Sequence, residues 1–167
     1  KPTVRGTGVD PAQFFTASRL VIVAGKGGVG KTTVSAALAK AASCSGLSSL
    51  IIEVEGKSGL SSMYGVPAFS YDEVELASAV PDAGTASIRA RTLTPDEALV
   101  EYLEGSDMGR ISKRLMTSGA LDMVSTAIPG IRDILVLGKI KQMERARLAD
   151  LLILDAPAAG HAITFLQ

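Results

Sequence analysis

Gly25-Lys26-Gly27-Gly28-Val29-Gly30-Lys31-Thr32-Thr33 decides how this chain is read. Gly25, Gly30, Lys31 and Thr32 satisfy G-x-x-x-x-G-K-[ST], the spacing of a loop that wraps a polyphosphate. The flanks agree with it. Arg19-Leu20-Val21-Ile22-Val23-Ala24 is a short apolar run rich in β-branched residues, which predicts a buried parallel strand over 19–24. Val34, Ala37, Leu38 and Ala41 recur at helical spacing, which predicts a helix over 31–45 stopped by Gly46. Strand, glycine loop and helix aim backbone N–H groups and the positive end of a helix dipole at one anion.

Chemistry assigns the loop residues their roles. The Lys31 ammonium is placed to reach the β- and γ-phosphates, and the Thr32 hydroxyl to ligate magnesium. Gly27, Gly28 and Gly30 permit positive φ and, with Gly25 and Val29, let the backbone close on the phosphates. Thr33 either bonds the α-phosphate or simply begins the helix.

A length of 167 residues suits one domain. Seventeen basic and seventeen acidic side chains leave no net charge, so no basic footprint argues for nucleic acid. No apolar run reaches the ~18 residues of a membrane span, and the first residues lack a signal-peptide layout. Cys44 is the single cysteine. It excludes an intrachain disulfide or a multi-cysteine metal site, fits a reducing, cytoplasmic setting, and is expected to be a small buried hydrophobe on the first helix.

Residues 1–13 carry Pro2, Gly6, Gly8 and Pro11 and read as an irregular arm; Phe14 and Phe15 open the ordered body, a single α/β domain over 14–167. Ser49 to Val54 reads as a second strand, completing a βαβ unit. Over 58–82 only a short helix is expected, through Leu60, Met63 and Tyr64, ended by Gly65 and Pro67. A strand is expected over 85–93. Thr94-Pro95-Asp96-Glu97 is a capping box with proline at the first helical position. It opens a helical insert over about 98–147. Within that insert, Met108, Met116 and Met123 suit either a soft apolar groove or ordinary core. After Pro129-Gly130 a helix is expected over 131–147, then a strand over 149–155 and a further helix from 162. In that last strand Leu151-Leu152-Ile153-Leu154-Asp155 carries four apolar residues closed by a carboxylate, which reads as a Walker B element delivering Asp155 to magnesium beside Thr32. The alternative is an aspartate capping the next helix.

Lys26 adds something that phosphate binding alone does not require. With it the loop resembles the deviant phosphate-loop ATPases, K-G-G-x-G-K-[ST]. Asp155-Ala156-Pro157-Ala158-Ala159-Gly160-His161 is similar to switch II of the ArsA-like branch, the arsenite-pump and tail-anchored-protein-targeting ATPases. Leu50, Ile52, Leu60, Ser61 and Gly65 align with that branch's switch I, and Pro129-Gly130-Ile131 with a later motif. The resemblance implies a three-layer phosphate-loop NTPase with a mainly parallel sheet and a helical insert, of which this chain is an N-terminal portion. It implies ATP and magnesium, and a homo- or hetero-dimer in which Lys26 reaches the partner's nucleotide. It puts Glu55 where the family's water-positioning aspartate stands, and Gly160 where an amide meets the γ-phosphate. His161 would pack or relay. Lys26, Lys31, Glu55 and Asp155 are thus the catalytic candidates. The implied function is ATP hydrolysis coupled to an unknown client protein or transporter. The alternatives are a catalytically weak nucleotide-binding subunit, or a positioning ATPase like ParA and MinD. Arsenite is disfavoured, because the pump needs a cysteine cluster and this chain has Cys44 alone.

Overall fold

The computed structural model describes residues 15, 17–54, 59–104 and 130–158. In chain order these form β1 (Leu20–Gly25), α1 (Lys31–Cys44), β2 (Ser49–Val54), α2 (Leu60–Met63), β3 (Val74–Ala77), a 3₁₀ turn (Pro81–Ala83), β4 (Ile88–Leu93), α3 (Pro95–Glu104), α4 (Ile131–Ala146) and β5 (Leu151–Ala158). The arm at 1–13, the methionine segment at 105–128 and the helix expected from 162 lie outside the described residues.

The five strands make one sheet in the order β1-β5-β2-β4-β3. All neighbours run parallel except β3, which is antiparallel to β4. β1 and β2 are therefore not adjacent. β5, the last of the described strands, is inserted between β1 and β2, and the expected βαβ unit is split by it. β3 was not expected, and its sequence explains why. Val74-Glu75-Leu76-Ala77 is four residues at a sheet edge, only partly buried, with an irregular register between Glu75 and Ala77. So short a strand carries almost no periodic signal.

Alternation along the strands sends one set of side chains to each face. On one face Ile51, Ile88, Ala90, Leu151 and Ile153 pack under α1, with Phe15 and Leu60 joining them. On the other, Leu50, Ile52, Leu93, Leu152 and Leu154 pack against Val136, Ile140 and Met143 of α4. Helices on both faces of a mostly parallel sheet make the three-layer α/β fold that the sequence predicts.

Of the expected apolar stripe on α1 only Leu38 packs, partly buried, against the core. Ser35, Ala36, Ala39, Ala42 and Ser43 are buried, while Val34 is 49% exposed and Ala37 and Ala41 are exposed. The buried stripe is made of small side chains, three alanines and two serines. Cys44 follows from the same rotation. It lies one residue, about 100°, past Ser43, and is exposed, contrary to the expected buried hydrophobe.

The helix ends are those the sequence marks. Gly46 has φ +77°, its N–H donates to Ser43 O at 3.0 Å, and Leu47 N–H donates to Ala42 O at 3.0 Å, a Schellman cap. At the start of α3 the Thr94 hydroxyl donates to the Glu97 carboxylate at 2.6 Å. Helices α3 and α4 are tied by Lys139, which donates to Glu101; Tyr71 donates to the same carboxylate, and the Arg91 guanidinium stacks 4.2 Å from the Tyr71 ring centre.

Candidate functional site

The β1–β5 register sets the site. Leu20 stands opposite Leu152, and Val23 opposite Asp155. Asp155 is thereby brought to the end of β1, where the glycine loop begins. Gly28 and Gly30 take left-handed backbone, with φ of +77° and +88°; two of the three glycines expected to need that freedom use it. A Cβ at either position would meet no protein atom within 4 Å, so the loop's concavity is open. At Gly25 the constraint is different: a Cβ there would crowd Val29 Cγ2 at 3.2 Å, and that side chain would have to shift by a few tenths of an ångström. α1 starts at Lys31, and its first backbone bond runs from Val34 N–H to Gly30 O at 3.0 Å. The N–H groups ahead of it have no partner within the helix and are available to an anion.

Lys31 Nζ donates to Lys26 O at 3.1 Å, so the ammonium lies over the loop it belongs to. Lys26 and Val29 are exposed at the loop surface, and Thr33 is exposed in the first turn of α1. The decisive contact joins residues far apart in sequence. The Thr32 hydroxyl donates to Asp155 Oδ2 at 2.7 Å. Asp155 is only 6% exposed. Burial raises its carboxyl above the usual aspartate range, partly offset by the Thr32 hydrogen bond and by the positive charge of Lys31. Its other oxygen, Oδ1, is buried without a hydrogen-bond partner.

Magnesium fits this donor set. It prefers hard oxygen ligands and is commonly held by one or two carboxylates together with phosphates and water. Thr32 can donate its hydrogen bond to Asp155 Oδ2 and keep its oxygen lone pairs for a cation, and Asp155 Oδ1 remains to hold a water of the cation's shell. Among the described residues no three His, Cys, Asp or Glu side chains gather, so a metal here would depend on phosphates and water to complete its shell. Glu55 and Gly160 lie outside the described residues.

One residue of this neighbourhood was missed in the sequence. Glu53 of β2 stands in register with Asp155 on one side and Thr92 on the other. It is 3% exposed. Burial, then the negative charge of Asp155, push its carboxyl from 4.5 to about 7, with the Thr92 hydroxyl working in the opposite sense. A signal was present: Ser49-Leu50-Ile51-Ile52-Glu53-Val54 reads as a strand buried on both faces, and an acid inside such a strand is out of place.

A parallel sheet with helices on both faces, a glycine loop at the end of its first strand and an aspartate from a neighbouring strand beneath it define a phosphate-loop NTPase fold. The anion-transporting ATPase family matches residues 18–167, and the chain belongs to that family. Among its relatives, the ATPase BagA of Mycobacterium tuberculosis is 33% identical over 169 residues, covering 97% of this chain and 49% of BagA. The ATPase get3 of Schizosaccharomyces pombe is 32% identical over 152 residues, covering 91% of this chain and 44% of that protein. The chain thus spans about half the length of the curated relatives it matches. No helix among the described residues is long and apolar enough to cross a membrane.

Proposed function

We propose that the protein binds Mg-ATP on the Gly25–Thr33 loop and hydrolyses it by attack of water on the γ-phosphate. The observation that carries this reading is the Thr32–Asp155 hydrogen bond, which joins the start of α1, at the end of the phosphate loop, to a carboxylate of the neighbouring strand β5. Loop N–H groups and the start of α1 hold the phosphates in line. Lys31 leaves the Lys26 carbonyl and sets its charge against the oxygens where negative charge grows. Thr32 and Asp155 hold magnesium, which when bound neutralises phosphate charge and favours the leaving group. Glu55 orients the attacking water and Gly160 offers an amide to the γ-phosphate. Lys26, exposed on the loop, reaches the nucleotide of a second protomer, so the working form is a dimer. Opening and closing of that dimer drives release of a client or transport partner.

Single-turnover hydrolysis of γ-labelled ATP with magnesium tests the reading, run on the wild type, Lys31→Ala and Lys26→Ala with light scattering alongside. Turnover lost in both variants, with ATP-dependent dimers in the wild type, is the expected result. Tight ATP binding without turnover in the wild type would replace it by a regulatory, non-hydrolysing subunit. Turnover unaffected by Lys26→Ala would remove the cross-protomer lysine.

A further inference from the structure

The loop and Asp155 leave one buried carboxylate of the same neighbourhood without a role. In-register residues of a parallel sheet present their side chains to the same face. Ile51 of β2, Ile153 of β5 and Ala90 of β4 face α1, so Glu53, Asp155 and Thr92, each two residues further along its strand, do the same. They form a polar row toward the C-terminal halves of the three strands, beside Thr32 at the end of the phosphate loop. Glu53 Oε1 and Asp155 Oδ1 are both buried and both lack a hydrogen-bond partner. Adjacent buried carboxylates with orphan oxygens are costly unless a cation or its water meets them. A glutamate that only packed the sheet would be better replaced by an apolar residue, like Leu50, Ile51, Ile52 and Val54 beside it.

We infer that Glu53 is a second carboxylate of the metal site: it holds a water of the divalent cation's hydration shell and sets the affinity for that cation. The inference rests on the nucleotide-site reading above. Position argues for the water rather than the cation. β2 lies one strand, ~4.8 Å, farther from β1 than β5 does, and Thr32 is already bonded to Asp155. The longer glutamate side chain spans part of that gap and a bridging water spans the rest. Carboxylates that orient metal-bound groups in this way change affinity by about 10- to 100-fold when removed.

The test measures metal binding, not turnover. Mn²⁺ is titrated into the complex of the protein with ADP, and the bound ion is read by electron paramagnetic resonance for the wild type and E53Q. ADP affinity in chelator is measured in parallel and reports that the phosphate loop is intact. E53Q should weaken Mn²⁺ by about 10-fold or more while ADP affinity in chelator stays at the wild-type value. Unchanged Mn²⁺ affinity in E53Q overturns the inference and leaves the nucleotide site standing. Failure of the wild type to bind ADP with or without Mn²⁺ overturns both. If E53Q loses ADP binding in chelator, E53L carries the same comparison, with the same two outcomes.

Discussion

The α1 face and the α4 face of the sheet are drawn from the same strands and end in opposite chemistry. Toward the loop end, the α4 face continues with Leu154, Val54 and Leu93. The α1 face, one residue away on each strand, ends in Asp155, Glu53 and Thr92. The helices differ to match. α1 presents alanine and serine and lies close to the strands, whereas α4 fills its side with valine, isoleucine and methionine. One face is built to stabilise, and the other gives up apolar burial at its end to hold charge near an anion. Because the pleat separates the two sets, Glu53 and Asp155 stay out of the apolar cluster under α4.

Variants that strike one face and spare the other test this division. Lys31→Ala on the loop should lower single-turnover ATP hydrolysis by about 10²–10³-fold with the thermal midpoint unchanged; a large loss of stability would blur the division. Ile140→Ala on the α4 face should do the reverse. It should cost about 2–5 kcal/mol by denaturant unfolding, as buried large-to-small changes do, and leave nucleotide affinity as it was. The third test concerns pH. Folded Glu53 keeps its proton to about 7, whereas in the unfolded chain it releases it near 4.5. Between those values the folded state binds more protons, so its stability falls as pH rises. Without nucleotide or metal, the folding free energy should drop by up to about 3 kcal/mol from pH 4.5 through 7 from this group. Asp155, raised by burial, adds to the fall in the same sense at the acid end. Glu53→Gln should flatten the profile, and an unaltered slope would assign the fall elsewhere. Ala39→Leu, overpacking the close contact under α1, should cost about 1–3 kcal/mol and, unlike Ile140→Ala, also weaken ADP binding because α1 carries the loop. Asp150 should matter least. Its Oδ2 accepts from Ser48 N–H at 2.9 Å and from the Ser48 hydroxyl at 2.6 Å, pinning the starts of β2 and β5 together at an exposed corner. Asp150→Ala should cost about 1 kcal/mol in thermal unfolding with no effect on nucleotide.

What could be read from the chain follows whether its cause is local. The loop, β2, the Thr94 cap and the Gly46 stop were legible because a few neighbouring residues specify each of them. The pairing of Thr32 with Asp155 was legible only because strand-end aspartates accompany such loops. Strand order was not, since nothing in Leu151–Ala158 tells which strands it will separate. The buried stripe of α1 was read only in part, at Leu38, because a helix this rich in alanine and serine offers several faces of similar apolar character. Glu53 was missed for a related reason: an acid in an apolar strand has meaning only once its lateral neighbours are known.

The insertion of β5 between β1 and β2 has a consequence for how the chain is made. The phosphate loop is synthesised before β5, the strand that joins β1 to β2, which follows more than a hundred residues later. Until then β1 has no partner from the described sheet, and Thr32 has no carboxylate to meet. Closing so long a loop is an entropic cost that must be met before any of these contacts form. A nascent chain therefore displays the phosphate-loop sequence long before it has a phosphate site. Nucleotide binding by Thr32 and Asp155 together therefore waits on the arrival of β5.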